Sequence, residues 1–400
     1  MKRAYRQLAP HEDHLHMSVI CIWSVETSCW VFGILHGLAF GLAGAVLQFN
    51  RHPPLLVAVA RRILAIPVIS FFDDFKITEL EDALGSGAHY FDKLVALTGW
   101  SFDPKKDKTD NPATFLGTVE DFRKAPSTGI ITVSPKSLRL QGAIRRIDEA
   151  LKNEKLSRED AVTLLGKLLS MANCLRGRAA RGQLFGLKER TLQKSLDCSI
   201  SKHLRENLKF HRLLLKLEMW REIELFPTAR REVLLYSDAS CEPSNGGLPI
   251  VQVCWLIFDG PRRLGGVVRV PDRVLRSFGK RKQYIAQGEA LAPLLALHYH
   301  GNAIRDTSAT FFIDNMGVLS GLTVGSSTVA DLGTVLHGAT LHATKLNIQM
   351  WWEHVDSAAN PSDGGNRFPF ALLAGACEWG GYWPPSFNLL PPPPLLLPPP

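Results

Sequence analysis

The chain has 400 residues, of which 46% are hydrophobic and 21% are charged, a composition typical of globular proteins. This length predicts two or three domains, and the composition excludes a chain that is disordered throughout. With 46 Lys and Arg against 38 Asp and Glu, the formal charge is +8, which is compatible with a polyanionic partner.

Positive charge is concentrated in one segment. Residues 175–231 contain 14 Lys or Arg and 6 Asp or Glu, a net of +8 that equals the surplus of the whole chain. Contacts with nucleic-acid phosphates require such a concentration. A solvated helical face is the simpler interpretation when the run is taken alone.

The cysteines argue against a disulfide-stabilised protein. All seven are scattered and none forms a CxxC pair, at positions 21, 29, 174, 198, 241, 254 and 377. Their odd number and spacing disfavour a disulfide framework, a zinc site or a disulfide partner, and favour a reducing compartment. No signal peptide is recognised, so we expect an intracellular protein of the cytoplasm or nucleus.

One apolar stretch, residues 17–49, is long enough to span a bilayer. Glu26, His36 and four glycines interrupt it, and charged residues are costly inside a membrane. We therefore expect no membrane partner. A membrane protein that uses this stretch remains a third hypothesis, which detergent dependence would support.

The first predicted elements mix strands and helices. Residues 15–23 and 29–35 are rich in strand formers and predict a hairpin, and residues 114–119 predict a further short strand. Apolar residues recur at helical spacing in three segments, 41–64, 79–98 and 138–217. We expect an interruption at Pro53-Pro54 and a helix start at Ser157.

A different pattern begins near Glu232. Short strands are predicted at residues 233–238, 250–259, 265–270, 309–314 and 346–355. An apolar helix is predicted at residues 283–299, and a second helix before the last strand. The order of three strands, helix, strand, helix, strand indicates an α/β domain. The tail, residues 384–400, is rich in Pro and Leu and is expected to be disordered or extended.

Two adjacent aspartates, Asp73 and Asp74, follow an apolar run in the sequence Phe-Phe-Asp-Asp-Phe. Adjacent acids repel and are costly to bury unpaired, so a divalent cation would favour this arrangement. Mg²⁺ binds a few carboxylates together with phosphate oxygens and water, as two-metal phosphoryl transfer requires. A turn with two exposed aspartates is the alternative, and the pair alone favours it.

The surroundings of this pair resemble the palm of a reverse transcriptase. Phe72-Asp73-Asp74 is similar to the family's aromatic-x-Asp-Asp hairpin, and residues 38–51 resemble the motif beneath the incoming nucleotide. Residues 98–106 and 115–117 resemble the next palm motif and the strand that grips the primer end. The resemblance implies that Asp73 and Asp74 are catalytic metal ligands. It implies substrate contacts at Phe40, Gly41, Phe72, Lys105 and Gly117.

Residues 2–7 resemble the stretch that follows the family's first catalytic aspartate, which we expect a few residues before position 1. The resemblance thus covers a partial α+β palm, residues 1–125, and a helical thumb or connection, residues 126–231. Without a third carboxylate the two-metal site lacks a ligand. We therefore expect little or no RNA-directed DNA polymerase activity, and a role for dNTP only if the site is completed.

Three arginines in the thumb part follow an amphipathic helix: Arg176, Arg178 and Arg181. Arginine contacts phosphates irrespective of the base. The resemblance therefore implies that these side chains follow the backbone of a primer–template duplex.

Four acids lie on four separate predicted elements after residue 231. Asp238 lies on the first strand, Glu289 on the apolar helix, Asp314 at the end of the fourth strand and Asp363 after the fifth strand. Acids from separate elements can converge at one end of a sheet, where four carboxylates can hold two Mg²⁺ ions about 4 Å apart. For each acid alone, a cap or turn role is the simpler interpretation.

This order and spacing resemble the Asp-Glu-Asp-Asp set of ribonuclease H. The resemblance implies that residues 232–383 form a ribonuclease H-like α/β domain with a five-stranded mixed sheet. It makes the four acids catalytic ligands of two Mg²⁺ ions, with Mn²⁺ as an alternative. It also implies substrate contacts at Ser240, Asn315 and Arg367.

Both resemblances together point to a retrotransposon reverse transcriptase fused to a ribonuclease H, of the gypsy-like or DIRS-like kind. The leading hypothesis is Mg²⁺-dependent hydrolysis of RNA in RNA–DNA hybrids beside an incomplete polymerase. The alternative is a non-catalytic, nucleic-acid-binding remnant of a retrotransposon. A magnesium titration would distinguish the two, because only the catalyst would cut a hybrid.

Overall fold

The computed structural model describes residues 4–39, 41, 43–176, 180–193, 197–226, 229–363, 377–380 and 383–384. Three predicted substrate contacts, Phe40, Arg178 and Arg367, lie outside the described residues, as does nearly all of the predicted tail. Backbone contacts divide the chain into two compact units, Met1–Asp110 and Asn111–Pro400.

The first unit contains two hairpins and three helices. Its strands are β1 (Val19–Ser24), β2 (Cys29–Ile34), β3 (Val68–Phe71) and β4 (Asp74–Ile77), and its helices are α1 (Ala43–Phe49), α2 (His52–Arg62) and α3 (Ser86–Leu97). A small core joins α1, α2, β3 and α3 through Phe49, Leu56, Val68 and Phe91. The β1–β2 hairpin is confirmed, but it stands outside this core and exposes side chains on both faces.

One expectation for the first unit was wrong in detail, because residues 12–18 form a 3₁₀ helix and not the start of a strand. The helical interruption expected near Pro53-Pro54 is present at residues 50–51, between α1 and α2. Pro53 and Pro54 themselves lie in the first turn of α2, where backbone N–H groups have no intrahelical partner.

The second unit begins with a four-stranded antiparallel sheet and a group of helices. The strands are β5 (Ala113–Phe115), β6 (Thr118–Asp121), β7 (Ile130–Pro135) and β8 (Arg221–Glu224), in that order across the sheet. The helices are α4 (Ala125–Thr128), α5 (Ser137–Asn153), α6 (Arg158–Ala172), α7 (Phe185–Leu192) and α8 (Lys202–Lys216). The Ser157 hydroxyl accepts the Asp160 N–H, which confirms the predicted helix start.

The small sheet corrects the predicted strand at residues 114–119. Leu116 and Gly117 both have positive φ and form a two-residue turn, so the segment is a hairpin of β5 and β6. Strands β7 and β8 were not predicted, and they place sheet structure on both sides of the predicted helical segment.

A six-stranded sheet dominates the rest of the second unit. Its strands are β9 (Glu232–Glu242), β10 (Ile250–Asp259), β11 (Arg262–Arg269), β12 (Ser308–Ile313), β13 (Gln349–His354) and β14 (Cys377–Gly380). The remaining helices are α9 (Asp272–Leu275), α10 (Ile285–His300), α11 (Met316–Val324) and α12 (Ala330–Lys345). The strand order is β13-β12-β9-β10-β11-β14.

This sheet is mixed, as predicted. Strands β9, β10 and β11 form an antiparallel meander, whereas β12 lies parallel to β9 and β13 parallel to β12. All five predicted strands are present, and β14 adds an unpredicted sixth at the edge, parallel to β11. Helix α10 is buried along nearly its whole length between the sheet and α12, which explains its continuous apolar sequence.

Helix α12 also contacts the helical group, because Leu341 belongs to the core formed by α5, α6, α7 and α8. The predicted boundary at residues 231–232 therefore lies inside one contact-defined unit. Within the described ranges, no helix combines the length and hydropathy that crossing a membrane requires.

Candidate functional site

Two of the predicted acids lie on neighbouring strands at the centre of the six-stranded sheet. Asp238 lies in β9, and Asp314 follows the last residue of β12. Because β12 runs parallel to β9 with Phe312 opposite Tyr236, continuing the register by two residues places Asp314 beside Asp238. Neighbouring strands are about 4.8 Å apart, so the topology alone brings these carboxylates together.

Helix α10 supplies the third acid, Glu289. The preceding residue, Gly288, approaches the sheet so closely that an added Cβ would lie 2.8 Å from Ala239 Cβ and 3.0 Å from Val251 Cγ1. Only a residue without a side chain fits there. The Ala239 N–H donates a hydrogen bond to the Glu289 carboxylate, and a second hydrogen bond joins the Glu289 and Asp238 side chains.

The three carboxylates form a compact group. One oxygen from each of Asp238, Glu289 and Asp314 lies within 4.8 Å of the other two. Asp238 is 6% exposed and Glu289 is 4% exposed. Glu289 Oε2 and Asp314 Oδ1 are buried and have no hydrogen-bond partner. Since buried carboxylate oxygens are costly without a partner, this group is unfavourable as a purely structural arrangement.

The electrostatics of the three carboxylates also favour a bound cation. Burial, followed by the nearby charges of Asp314 and Asp238, raises the pKa of Glu289 to about 10. Without a cation, Glu289 therefore keeps its proton at neutral pH, because three charges cannot be gathered in so small a volume. A divalent cation would reverse this preference by supplying positive charge.

The donor set fits a hard divalent cation. All three side chains offer carboxylate oxygens, which Mg²⁺ and Mn²⁺ accept, and the buried oxygens without partners, on Glu289 and Asp314, would gain one. The group contains no Cys or His, which zinc would favour.

A short segment after β13, residues 357–362, forms hydrogen bonds to Asp314 and to the backbone beside Asp238. The Ser357 hydroxyl donates to Asp314 Oδ2 at 2.8 Å, and Asn360 Nδ2 donates to the Ser237 carbonyl at 3.1 Å. Asn360 Oδ1 accepts from both the backbone N–H and the hydroxyl of Ser362, at 3.1 and 2.6 Å. Asn360 and Ser362 are both buried, so the segment is fixed beside Asp238.

Asp363, the fourth predicted ligand, is placed differently. It directly follows the anchored segment and is half-buried. Among the described residues, the group that could hold a metal consists of Asp238, Glu289 and Asp314, and Asp363 does not belong to it. Sequence reasoning missed Ser357 and Asn360, although Asn360 lies only three residues before the predicted ligand Asp363.

The predicted neighbours of the acids have distinct positions. Ser240 lies two residues after Asp238 on β9 and therefore on the same face of the sheet. Asn315 caps α11, and its side-chain oxygen accepts the N–H groups of Gly317 and Val318, both at 3.1 Å. This cap orients the chain directly after Asp314.

The other carboxylate pair lies in the first unit. Phe72 and Asp73 form the two-residue turn between β3 and β4, and Phe72 has a φ of 51°. The sequence suggested that these acids end a buried strand, but Phe71 is 51% exposed and Asp74 is exposed at the hairpin tip. In the described part of the chain, no third acid joins Asp73 and Asp74 in a metal-binding group.

The remaining predicted contacts are spread over both units. In the first unit, Gly41 has a φ of 93° and is exposed, and Lys105 is exposed in a short 3₁₀ helix. In the second unit, Gly117 forms the β5–β6 turn. Arg176 forms an ion pair with Glu222, and Arg181 donates to Asn173 Oδ1 at 2.9 Å.

Part of the chain is similar to a solved structure, the RNase H1 from the halophilic archaeon Halobacterium salinarum NRC-1. The two are 20% identical, the alignment covers 35% of this chain and 99% of that chain, and the TM-score is 0.26. No protein-family model matches the sequence, and no curated protein matches it either. The interpretation of the site therefore depends on its own geometry.

Proposed function

We propose that the second unit hydrolyses the RNA strand of RNA–DNA hybrids with the help of divalent cations. The observation that carries this proposal is the group of Asp238, Glu289 and Asp314, with two buried carboxylate oxygens that have no partner. When bound, the cations would activate water against a phosphodiester and stabilise the leaving 3′-oxygen. The choice of an RNA–DNA hybrid as substrate comes from the resemblance to ribonuclease H.

The chain's own residues prepare the site for this chemistry. Ser357 occupies Asp314 Oδ2 and so orients Oδ1 toward the group. Glu289, whose pKa is raised by burial and by the neighbouring acids, would have to lose its proton to hold a cation, which would couple cation binding to pH. Asn360 holds the chain that leads to Asp363, the candidate fourth ligand.

The experiment is a cleavage assay on a labelled RNA–DNA hybrid, with single-stranded RNA, double-stranded RNA and double-stranded DNA as competitors. Cleavage should need Mg²⁺ or Mn²⁺ and should affect the hybrid alone. Asp314→Asn should lower the rate by more than about 100-fold, the upper range for changes around a metal ligand. Asp306→Asn, in the loop before the same strand β12, is the matched control and should keep the parent rate.

A non-catalytic binder is the second candidate, and the position of Asp363 outside the acid group favours it. A binder would retain the hybrid with steep salt dependence and cut nothing at any Mg²⁺ concentration. Equal rates for the parent and Asp314→Asn would likewise exclude the catalytic proposal.

For the first unit we propose descent from the palm of a retroelement reverse transcriptase, gypsy-like or DIRS-like, with residues 126–231 as its thumb or connection. The tight turn that presents Asp73 and Asp74 supports this origin. Primer extension on an RNA template should give little or no product, because no third carboxylate accompanies them in the described residues. Robust dNTP incorporation by the purified chain would contradict this expectation.

A further inference from the structure

One face of the β1–β2 hairpin consists entirely of apolar side chains. In the antiparallel register, every second cross-strand pair points to the same side of the hairpin. Three such pairs form this side, Val19 with Ile34, Cys21 with Phe32 and Trp23 with Trp30. The set of six residues is called the aromatic face below.

The aromatic face is open to solvent. All six of its side chains are exposed, with Phe32 at 69% and Trp30 at 61%. A fully buried aromatic side chain removes about 150–250 Å² from water, so the three aromatic residues and their aliphatic neighbours leave roughly 600 Å² of apolar surface uncovered. Monomeric soluble proteins rarely expose so large an apolar patch, and such patches mark interaction sites.

The hairpin has little to hold it within the first unit. Among the described residues, β1 and β2 pair only with each other, and neither strand supplies a side chain to the apolar core of that unit. The edge-to-face contact of Trp23 with Trp30, with ring centroids 5.4 Å apart, lies within the hairpin itself. Because a lone two-stranded hairpin is at best marginally stable in water, a partner on the aromatic face would stabilise it.

The opposite face of the hairpin is less suited to a partner. It carries Ser24 and Cys29 at one end and Gly33 near the other, so its apolar surface is smaller and interrupted. A Cβ added at Gly33 would meet only Ile20, at 4.0 Å. The aromatic face is therefore the side on which a partner would bury the most apolar area.

The charge of this region limits the kind of partner. Glu26, in the turn of the hairpin, is the single Asp, Glu, Lys or Arg between residues 17 and 50. Binding to nucleic acid or to an anionic membrane surface uses Lys and Arg, which this stretch lacks. Glu12 and Asp13, shortly before β1, add negative charge. The partner surface that fits is neutral, aromatic and aliphatic, which is the chemistry of the aromatic face itself.

We infer that the aromatic face is the contact between two copies of this chain, whose hairpins pack face to face across a two-fold axis. A two-fold interface joins the same patch of both copies, so a self-complementary apolar surface is what it requires. Two sheets stack about 10 Å apart with their inner side chains interdigitated. A stable interface buries about 800 Å² on each partner, most of which the aromatic face can supply. The inference does not depend on the nuclease proposal.

The two exposed cysteines of the hairpin report on this contact without any substitution. Cys21 lies on the aromatic face and Cys29 on the opposite face. Each is labelled with a maleimide over a range of chain concentrations, and peptide mass spectrometry measures the two rates. Between about 0.01 and 10 µM chain, the Cys21 rate should fall at least about 10-fold as the dimer forms, whereas the Cys29 rate should stay constant.

Sedimentation equilibrium of the full chain measures the dimer directly. The parent should be dimeric at about 10 µM, since interfaces of standard size have micromolar or tighter Kd values. Trp30→Thr with Phe32→Thr should raise the Kd at least about 30-fold, because aromatic anchors carry most of the binding energy. The matched control, Ile22→Thr with Val31→Thr on the opposite face, should keep the parent Kd. Threonine favours strands and so preserves the hairpin in both variants.

Four outcomes would overturn the inference. They are a parent that stays monomeric at about 100 µM, and equal weakening of the dimer in the two variants. A third is flotation of the parent with phosphatidylcholine vesicles that the Trp30 and Phe32 substitutions abolish, which would make a lipid surface the occupant. The fourth is a Cys21 that is protected at every concentration, which would mean that the same chain covers the face. If thermal melting shows that a variant unfolds, the cysteine rates of the parent decide.

Discussion

The Ser357 hydroxyl donates a hydrogen bond to Asp314 Oδ2, a carboxylate oxygen of the acid group, from a segment outside the group. Replacing Ser357 with Ala should lower Mg²⁺ affinity or the cleavage rate by about 10-fold, because Asp314 loses the contact that orients it. Ser357→Thr keeps the hydroxyl and should retain most activity. Isothermal titration with Mg²⁺ and hybrid cleavage measure the two effects, and an unaffected Ser357→Ala would show that the bond does not orient the ligand.

Asn360 makes three hydrogen bonds from a buried position, to Ser237 and Ser362. Asn360→Ala should cost about 2 kcal/mol of unfolding free energy, since it leaves buried polar groups without partners. Asn360→Asp keeps the size of the side chain but should cost at least as much, because it replaces the donor to the Ser237 carbonyl with a carboxylate oxygen. Urea denaturation of both variants measures the cost, and a change below 0.5 kcal/mol, within the range of ordinary surface substitutions, would contradict this role.

At the scale of single residues, the sequence predicted the acid group better than its surroundings. Asp238 and Asp314 could be paired because each ends a predicted strand in an α/β pattern. Ser357 and Asn360 could not, because their partners lie 43 and 123 positions away and leave no local pattern. Asp363 was predicted from the same resemblance as the other three acids. Its position depends, however, on the preceding segment, which Asn360 holds through hydrogen bonds.

Helix α10 and strand β9 touch at Gly288 and Ala239. Gly288→Ala should destabilise the protein by about 1–3 kcal/mol through overpacking, and it should weaken Mg²⁺ binding because Glu289 moves with the helix. Adding Ala239→Gly should recover part of both losses, since it removes the nearest obstructing atom. A double-mutant cycle in urea measures the coupling, and strictly additive effects would show that the contact does not set the helix position.

Helices α8 and α12 each contain a histidine whose pKa is lowered by burial. Burial lowers the pKa of His211 to about 4, and its Nε2 lies 3.0 Å from the Gln183 carbonyl. Burial also lowers the pKa of His342 on α12 to about 4. Each histidine is protonated in the unfolded chain near pH 6.5 but stays neutral in the folded chain until about pH 4.

Stability should therefore be complete above pH 6.5 and should fall as the pH drops from 6.5 to 4, because the unfolded chain binds more protons there. His211→Gln keeps a hydrogen-bond donor and removes the titration. The loss of unfolding free energy between pH 6.5 and pH 4 should therefore be smaller by roughly 3 kcal/mol in this variant. Urea midpoints measured between pH 4 and 7 provide the test. An unchanged slope in His211→Gln would assign the acid sensitivity to other groups.

At the scale of elements, long periodic segments were predictable and short polar ones were not. Strand β8 has four residues, three of them charged, and it pairs with β7 across about ninety positions, so nothing local marks it as a strand. The apolar run of α10 was predictable as a helix by its length, although its even hydrophobicity reflects burial on several sides. Pro53 and Pro54 correctly indicated a break in the helical segment, which lies just before them between α1 and α2.

The whole chain consists of two compact units joined near residue 110. Residues 104–112 are exposed throughout and contain Lys105, Lys106 and Lys108. Trypsin should therefore cut first in this stretch, since exposed backbone with few contacts is the preferred site of proteolysis. Mass spectrometry of early fragments checks the site. A first cut inside residues 269–282 would show instead that the buried side chains of Leu275 and Phe278 do not hold that segment in solution.

In chain order, the strands of the large sheet begin at its centre and end at its two edges. Strand β9 is the first of its strands to be synthesised and lies in the middle, whereas both edges, β13 and β14, come from the last part of the chain. Asp314 follows the last residue of β12, so the three carboxylates come together only when β12 pairs with β9. The same strand supplies Ala309, Phe311 and Ile313 to the apolar core, and a nascent chain emerging from the ribosome therefore depends on one strand both for its core and for its gathered negative charge.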